Sequence, residues 1–484
     1  MANGTLPGYL ASAKPNPATN RAPWYKNTAQ TYAGIMLWFV FWQQIPLGAG
    51  ADGYSKFAGG TLAHGLGVAF LGLIAAALIC HFLFYLVPGM LGMKTGLPLY
   101  IVGTSTYGAL GGFLMPGFLM GLLQFGWLAV NGFFAGLLLV IPFFADQSKA
   151  MGSLAHIVVA SAWIILGAFM GVKGIKYVAR VATFLPLIPL AILVILLVST
   201  IGGIGSFDSQ ALVKVGETST PAAIGVQSPL STFGILALLA TYVVGFFATA
   251  GAAGADFGMN NRDAKDVHLG GLVGVALSTV FAGGLALLIV AGAYGSGLVT
   301  SGIIEPPRLM GSIVGEKTAA VFMYLLAIAA FPPACFSAFI AANSFRTTLP
   351  KVRPLISCGL GAVAAIILVV SGKAGNAIDV FTIIGASFGP VCGAMVADYL
   401  LSGRKWAGPR AGFNPAGWIS WLLGFAVGAV EFIARIPGLE QLSGKVPCPP
   451  VAAFIVGFVL YAILAKIGLQ SRTLPMPAAT AQQA

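Results

Sequence analysis

Charge is scarce in this chain: Lys, Arg, Asp and Glu together make 8% of 484 residues, while apolar residues make 58%. A soluble fold carries roughly a quarter charged residues to keep its surface wet. The shortage excludes an ordinary water-soluble globule. Histidine is scarcer still. The four in the chain lie far apart, and no His, Cys, Asp and Glu constellation stands at ligand spacing. An enzyme needs such a cluster or a nucleophile–base pair, so no enzyme activity, no catalytic residue and no protein-bound metal are expected. A Walker-type phosphate loop is also missing, and with it the machinery for ATP-driven pumping. The five cysteines, at 80, 335, 358, 392 and 448, are odd in number and unpaired in spacing, so they predict no disulfide framework. The first 31 residues are polar, rich in Pro and Asn, and lack the apolar core of a cleaved signal peptide.

What the chain does have is apolar runs long enough to cross hydrocarbon, which takes about 20 residues in a helix. They fall at roughly 32–50, 61–88, 113–144, 152–172, 178–203, 231–256, 268–297, 318–345, 354–371, 378–401, 414–436 and 449–468. Backbone amides in lipid must bond one another, so a spanning chain is helical or a closed barrel. These runs are long and continuous rather than short and alternating. The reading is an all-α integral membrane protein of about twelve transmembrane helices. It divides into an N-terminal segment (1–31), a ten-helix core (32–401), two further helices (402–468) and a polar tail (469–484).

Twelve crossings put both ends of the chain on one side. Loops on that side hold most of the 25 basic residues, among them Lys94, Lys173, Lys176, Arg262, Lys265, Arg346, Lys351, Arg404 and Arg410. By the positive-inside rule both termini are cytoplasmic, and a cell (plasma) membrane location follows. The same distribution accounts for the net charge of +12 without nucleic acid, since no loop gathers an aromatic-interleaved basic patch. The oligomeric state is not legible.

The first run ends Gly48-Ala49-Gly50-Ala51-Asp52 and the sixth ends Gly251-Ala252-Ala253-Gly254-Ala255-Asp256. Both dissolve into glycine and alanine and close on Gly-Ala-Asp. Five runs separate them, so the two halves, about 32–203 and 231–401, would be inverted repeats. Paired, glycine-interrupted helices in matching positions point to a transporter's midplane site. Pro46, which removes an amide donor, fits a break in the first.

Several stretches carry a more specific signal. They are Lys94-Thr95-Gly96-Leu97, Ser105-Thr106-Tyr107-Gly108, Gln124-Phe125-Gly126-Trp127, Ala255-Asp256-Phe257 with Asn261-Arg262-Asp263-Ala264-Lys265, and Gly389-Pro390-Val391-Cys392-Gly393 leading to Ala397-Asp398-Tyr399-Leu400. In order and spacing, over roughly residues 24–436, these resemble the purine–cytosine permease or nucleobase–cation symporter-1 family. The resemblance implies a LeuT-like 5+5 inverted repeat with broken helices 1 and 6. It implies a secondary active symporter, coupled to H+ or Na+ with no other cofactor, that imports a nucleobase such as cytosine or a purine by alternating access. An uncoupled facilitator or channel for the same solutes is the alternative, as is a family member for hydantoin, allantoin, thiamine or pyridoxine.

A nucleobase is flat and aromatic, with donors and acceptors along its edge. It needs flat apolar faces above and below and amides or backbone groups at the rim. Gln124, Trp127 and Asn131 stand at i, i+3 and i+7 on one helical face. The resemblance places the family's stacking indole at Trp127 and the opposing ring at Phe247. Gln124 and Asn131 suit a base edge or a bond to a neighbouring helix equally. Gln44 and Thr249 are further substrate candidates. Asp256 is a coupling or gate candidate, or else pairs with Arg262 and Lys265. His81, inside a run, is a buried ring or a proton carrier. In sodium-driven relatives the eighth helix supplies hydroxyls to the ion. Here that stretch reads Phe331-Pro332-Pro333-Ala334-Cys335-Phe336-Ser337, where Ser337 is the one hydroxyl and methyl or thiol groups offer no hard oxygen.

Overall fold

A computed structural model of the chain describes residues 6–47, 57–144, 146, 149–219, 228–302 and 304–476. The helices are α1 (Thr28–Met36, then Phe39–Leu47), α2 (Gly65–Thr95), α3 (Phe113–Phe143), α4 (Leu154–Lys173), α5 (Leu187–Ser206) and α6 (Thr232–Ala252). They continue with α7 (Ala264–Gly295), α8 (Glu316–Thr348), α9 (Pro354–Val370), α10 (Ala377–Leu401), α11 (Pro415–Gly428) and α12 (Pro449–Lys466). Nine are long and apolar enough to span a bilayer whole, α9 and α11 are shorter apolar helices, and α1 spans as two halves. The expected dozen is present among the described residues.

α1, α2, α6 and α7 pack as one group, and α3, α4, α8 and α9 as another. α10 lies along α6 and carries α11 and α12 on its other side, while α5 touches both α7 and α8. Lipid gives no hydrophobic drive between helices, so close backbone approach over small residues must hold them. Gly245 on α6 shows this beside the centre: a Cβ there would stand 2.5 Å from the carbonyl oxygen of Phe381 on α10.

α1 breaks at Leu37–Trp38, more than two helical turns before the expected place at Pro46. Its second half runs through Pro46 without interruption. No glycine or proline marks the break. Side-chain donors hold it: the Trp42 indole N–H of α1's own second half donates to the Leu37 carbonyl at 3.1 Å, and the Tyr242 hydroxyl of α6 reaches the carbonyls of Val40 (2.8 Å) and Phe41 (3.0 Å). The Gly48–Asp52 half of the echo lies outside the described residues. The other half holds, because α6 is interrupted at Ala253 and resumes as the short helix Gly254–Gly258.

On the side of the termini, two of the sequence motifs meet. Asp398 at the end of α10 is buried with Arg410, whose Nη2 lies 3.1 Å from Oδ1. Ser105 donates to Asp398 Oδ2 at 2.6 Å, and the Tyr461 hydroxyl of α12 donates to Oδ1 at 2.7 Å. Arg410 Nε donates to the Ser105 carbonyl at 2.7 Å. Gly108 closes the first motif with φ +87°, and a Cβ there would strike the Gly412 carbonyl at 2.3 Å. This network fastens the α2–α3 connection to α10 and α12.

Candidate functional site

Trp127 faces inward. From α3 its ring meets Trp38 at the α1 break (centroids 5.8 Å), Phe246 on α6 (4.9 Å, edge-on) and Phe381 on α10 (4.9 Å, tilted). Its indole N–H donates to Thr249 Oγ at 3.3 Å. Trp38, Phe246 and Phe381 are buried, yet Trp127 keeps part of its surface open. Four helices, two of them interrupted, thus converge on one half-open indole.

Phe247 does not meet Trp127. It turns to Tyr32 on α1, with centroids 5.4 Å apart, and Phe246 takes the place expected for it. Neighbouring residues point about 100° apart on a helix, so one ring only can face the centre. The close seat of Gly245 on Phe381 turns that face so that Phe246 has it.

The amides separate by their partners. Asn131 is fully engaged: it donates to the Ala330 carbonyl of α8 at 3.0 Å and accepts from the Trp163 indole of α4 at 2.9 Å. Of the two readings open for it, this is helix–helix bonding. Asn131→Ala orphans the Trp163 N–H, a loss of about 1–3 kcal/mol; we expect a lower thermal unfolding midpoint with solute affinity unchanged. Gln124 is buried, and its amide donates only to Met120 Sδ at 3.6 Å, a weak acceptor. On α1, the side-chain nitrogens of Gln43, Gln44 and Trp38 are buried and find no partner among the described residues. Unsatisfied buried donors are costly, and these three stand at the α1 break and on the half of the helix that follows it.

Asp256 sits on the short helix after α6, where its Oδ1 accepts the Leu99 N–H at 3.0 Å. It does not pair with Arg262, which binds Asp266 at 2.7 Å. Ser337 is half-buried on α8, a helix that continues through Pro332 and Pro333. Those prolines leave the carbonyls of Ile328 and Ala329 without their usual N–H partners. His81 is buried on α2 against Tyr85, its Nδ1 unpartnered among the described residues.

Nothing in the sequence marks Trp38, Tyr242 or Phe381 as site residues, and Phe246, which the sequence reads as packing or lipid-facing, is buried against Trp127. Trp38 stands in an aromatic run that gave a signal without a phase. Phe381 had none, since only folding brings α10 to α3.

No family model matches the chain. The cytosine permease of Escherichia coli (strain K12) is 25% identical over 357 residues, which are 73% of this chain and 75% of that protein. The cytosine permease of Escherichia coli O157:H7 matches to the same extent. Among solved structures, a nucleobase–cation-symport-1 family transporter in a closed conformation with bromovinylhydantoin bound superposes with a TM-score of 0.63, at 15% identity over 99% of each chain. A Na+-coupled sialic acid symporter in a substrate-bound outward-open state gives 0.51, at 14% identity over 97% of this chain and 95% of that one. The motif resemblance is therefore matched by similarity over most of the chain, and the LeuT-like helical fold by similarity over nearly all of it.

Proposed function

We propose that this relative of the cytosine permeases is a secondary active transporter that imports a nucleobase or a related planar heterocycle by alternating access. The observation that carries it is the half-open Trp127 indole packed on Trp38 at the α1 break, where the Trp38 N–H is buried without a partner among the described residues. A flat solute lies on the indole with Phe246 at its margin, while Gln124 and the Trp38 N–H bond its edge. Residues 32–203 and 231–401 form the two repeats, and both termini face the cytoplasm across the plasma membrane.

The coupling ion is sodium or a proton. Sodium would draw on an oxygen of the kind it prefers, either the Ser337 hydroxyl or, more than two turns earlier on α8, the carbonyls freed by Pro332 and Pro333. Purified protein in proteoliposomes tests the reading: cytosine, uracil, hypoxanthine or hydantoin accumulates above equilibrium when a sodium or proton gradient is imposed. Equilibration that ignores both gradients points to a facilitator. No uptake of any heterocycle defeats the reading.

Asp256 acts as a gate by holding the α2–α3 connection to the end of α6. Asp256→Ala removes the bond, and a loss near 1.4 kcal/mol shifts the population open toward the termini roughly tenfold. Alkylation of a cysteine placed at Thr249 in a cysteine-free background reports this as faster labelling. Asp256→Asn still accepts the bond and is expected to label like the parent. If that variant instead loses proton-driven uptake, Asp256 carries the proton and is no mere latch.

A further inference from the structure

α2 and α7 each contain a π turn, Cys80–Tyr85 on α2 and Leu272–Leu277 on α7. Such turns are rare and tend to be kept where they shape a functional surface. Here they flank a trench of about 340 Å³ that opens on the outside of the helix bundle. Its floor is Ala77 and Ala276, both buried, and its walls are Ile74, Leu78, Leu272 and Leu277, 39 to 59% exposed. His81, one turn beyond Ala77 on α2, lies at the end nearer the termini. Its Nδ1 is aimed at Gly271, where a Cβ would come within 2.5 Å.

The α7 wall continues past the trench toward the termini with a change of chemistry. Lys265 and His268 lie seven and four residues before Leu272, on the same helical face, and both are exposed. The acids of that turn are engaged elsewhere. Asp266 is buried, accepts the Trp24 N–H at 3.1 Å and pairs with Arg262. Asp263 caps α7 by accepting the Asp266 N–H at 2.8 Å. The strip therefore runs from an exposed lysine and an exposed histidine into an apolar slot. From His268 to Val280 it is about 18 Å long at 1.5 Å per residue, close to the roughly 15 Å that one leaflet contributes to the hydrocarbon core.

We propose that this strip binds one anionic glycerophospholipid from the leaflet on the side of the termini. One acyl chain fills the trench between α2 and α7, and the headgroup phosphate rests on Lys265 and His268. Charge complementarity selects the occupant: a neutral apolar molecule would use the trench and leave the Lys265 ammonium and the His268 N–H idle.

Native mass spectrometry of the full-length protein in neutral detergent tests this, titrating phosphatidylglycerol against phosphatidylcholine of identical chains. We expect one phosphatidylglycerol to be retained, with about fivefold preference, since one lysine at an anionic surface strengthens binding about fivefold. Lys265→Ala with His268→Ala should equalise the two lipids. Ala276→Phe, which fills the floor, should lose both. Ile74→Trp narrows the trench from an exposed wall position, so it folds even if the floor variant does not, and should weaken both. Equal binding of the two lipids by the parent, or phosphatidylglycerol retained unchanged by the charge-removed or trench-blocked variants, overturns the proposal.

Discussion

Asp398→Ala is expected to lower the thermal unfolding midpoint more than any substitution at the solute site. The Asp398–Arg410 pair is buried on both sides, with side-chain exposures of 3% and 9%. Removing one member of such a pair leaves the other charge uncompensated and costs about 3–5 kcal/mol. Arg410 would keep its bonds to the carbonyls of Ser105 and Ser471, but neither carries a counter-charge. Ser105 and Tyr461 would lose their acceptor as well. Asp398→Leu combined with Arg410→Met removes both charges, and buried pairs exchanged whole for apolar residues are often tolerated. The double variant should therefore regain much of the lost midpoint. Thermal unfolding of the three proteins in one detergent checks this. A single variant as stable as the parent would mean that the pair is solvated.

Trp127→Ala is expected to weaken heterocycle binding at least 30-fold. Truncating a buried aromatic anchor at the centre of a site commonly costs 2 kcal/mol or more, which is that factor. Some loss of stability accompanies it, because Trp38, Phe246 and Phe381 all pack on the indole. Two controls separate binding from packing. Asn131→Ala lowers stability yet keeps affinity, and Thr249→Val removes the 3.3 Å bond to the indole while leaving the ring in place. Calorimetric titration of the four proteins gives the comparison. Equal affinity in Trp127→Ala would remove the indole from the site.

Hydropathy alone located the twelve helices, because span length in lipid depends on little else. The fifth is instructive: the run begins at 178, but the structure ends one short helix, Ile175–Ala182, before α5 starts at Leu187 past Pro186. Apolar content there hid a turn. The α1 break was legible only as an expectation that some break exists. Its position depends on Tyr242 and Trp42 donating to particular carbonyls, and no residue at Leu37 or Trp38 signals it. Trp127 could be singled out because the family resemblance puts the stacking indole there, on a face it shares with two amides. The resemblance put Phe247 opposite the indole and the structure puts Phe246 there, since helical phase is set by how Gly245 seats on α10. Asp398 and Arg410 belong to the same class. They lie near each other in sequence, but their partners Ser105 and Tyr461 come from distant helices.

The most direct measurement is a structure of the protein with the best-binding heterocycle. Density for the flat solute is expected against the open face of Trp127, its edge turned to Gln124 and the break at Leu37–Trp38. Density anywhere else, with the Trp127 indole left bare, would contradict the site.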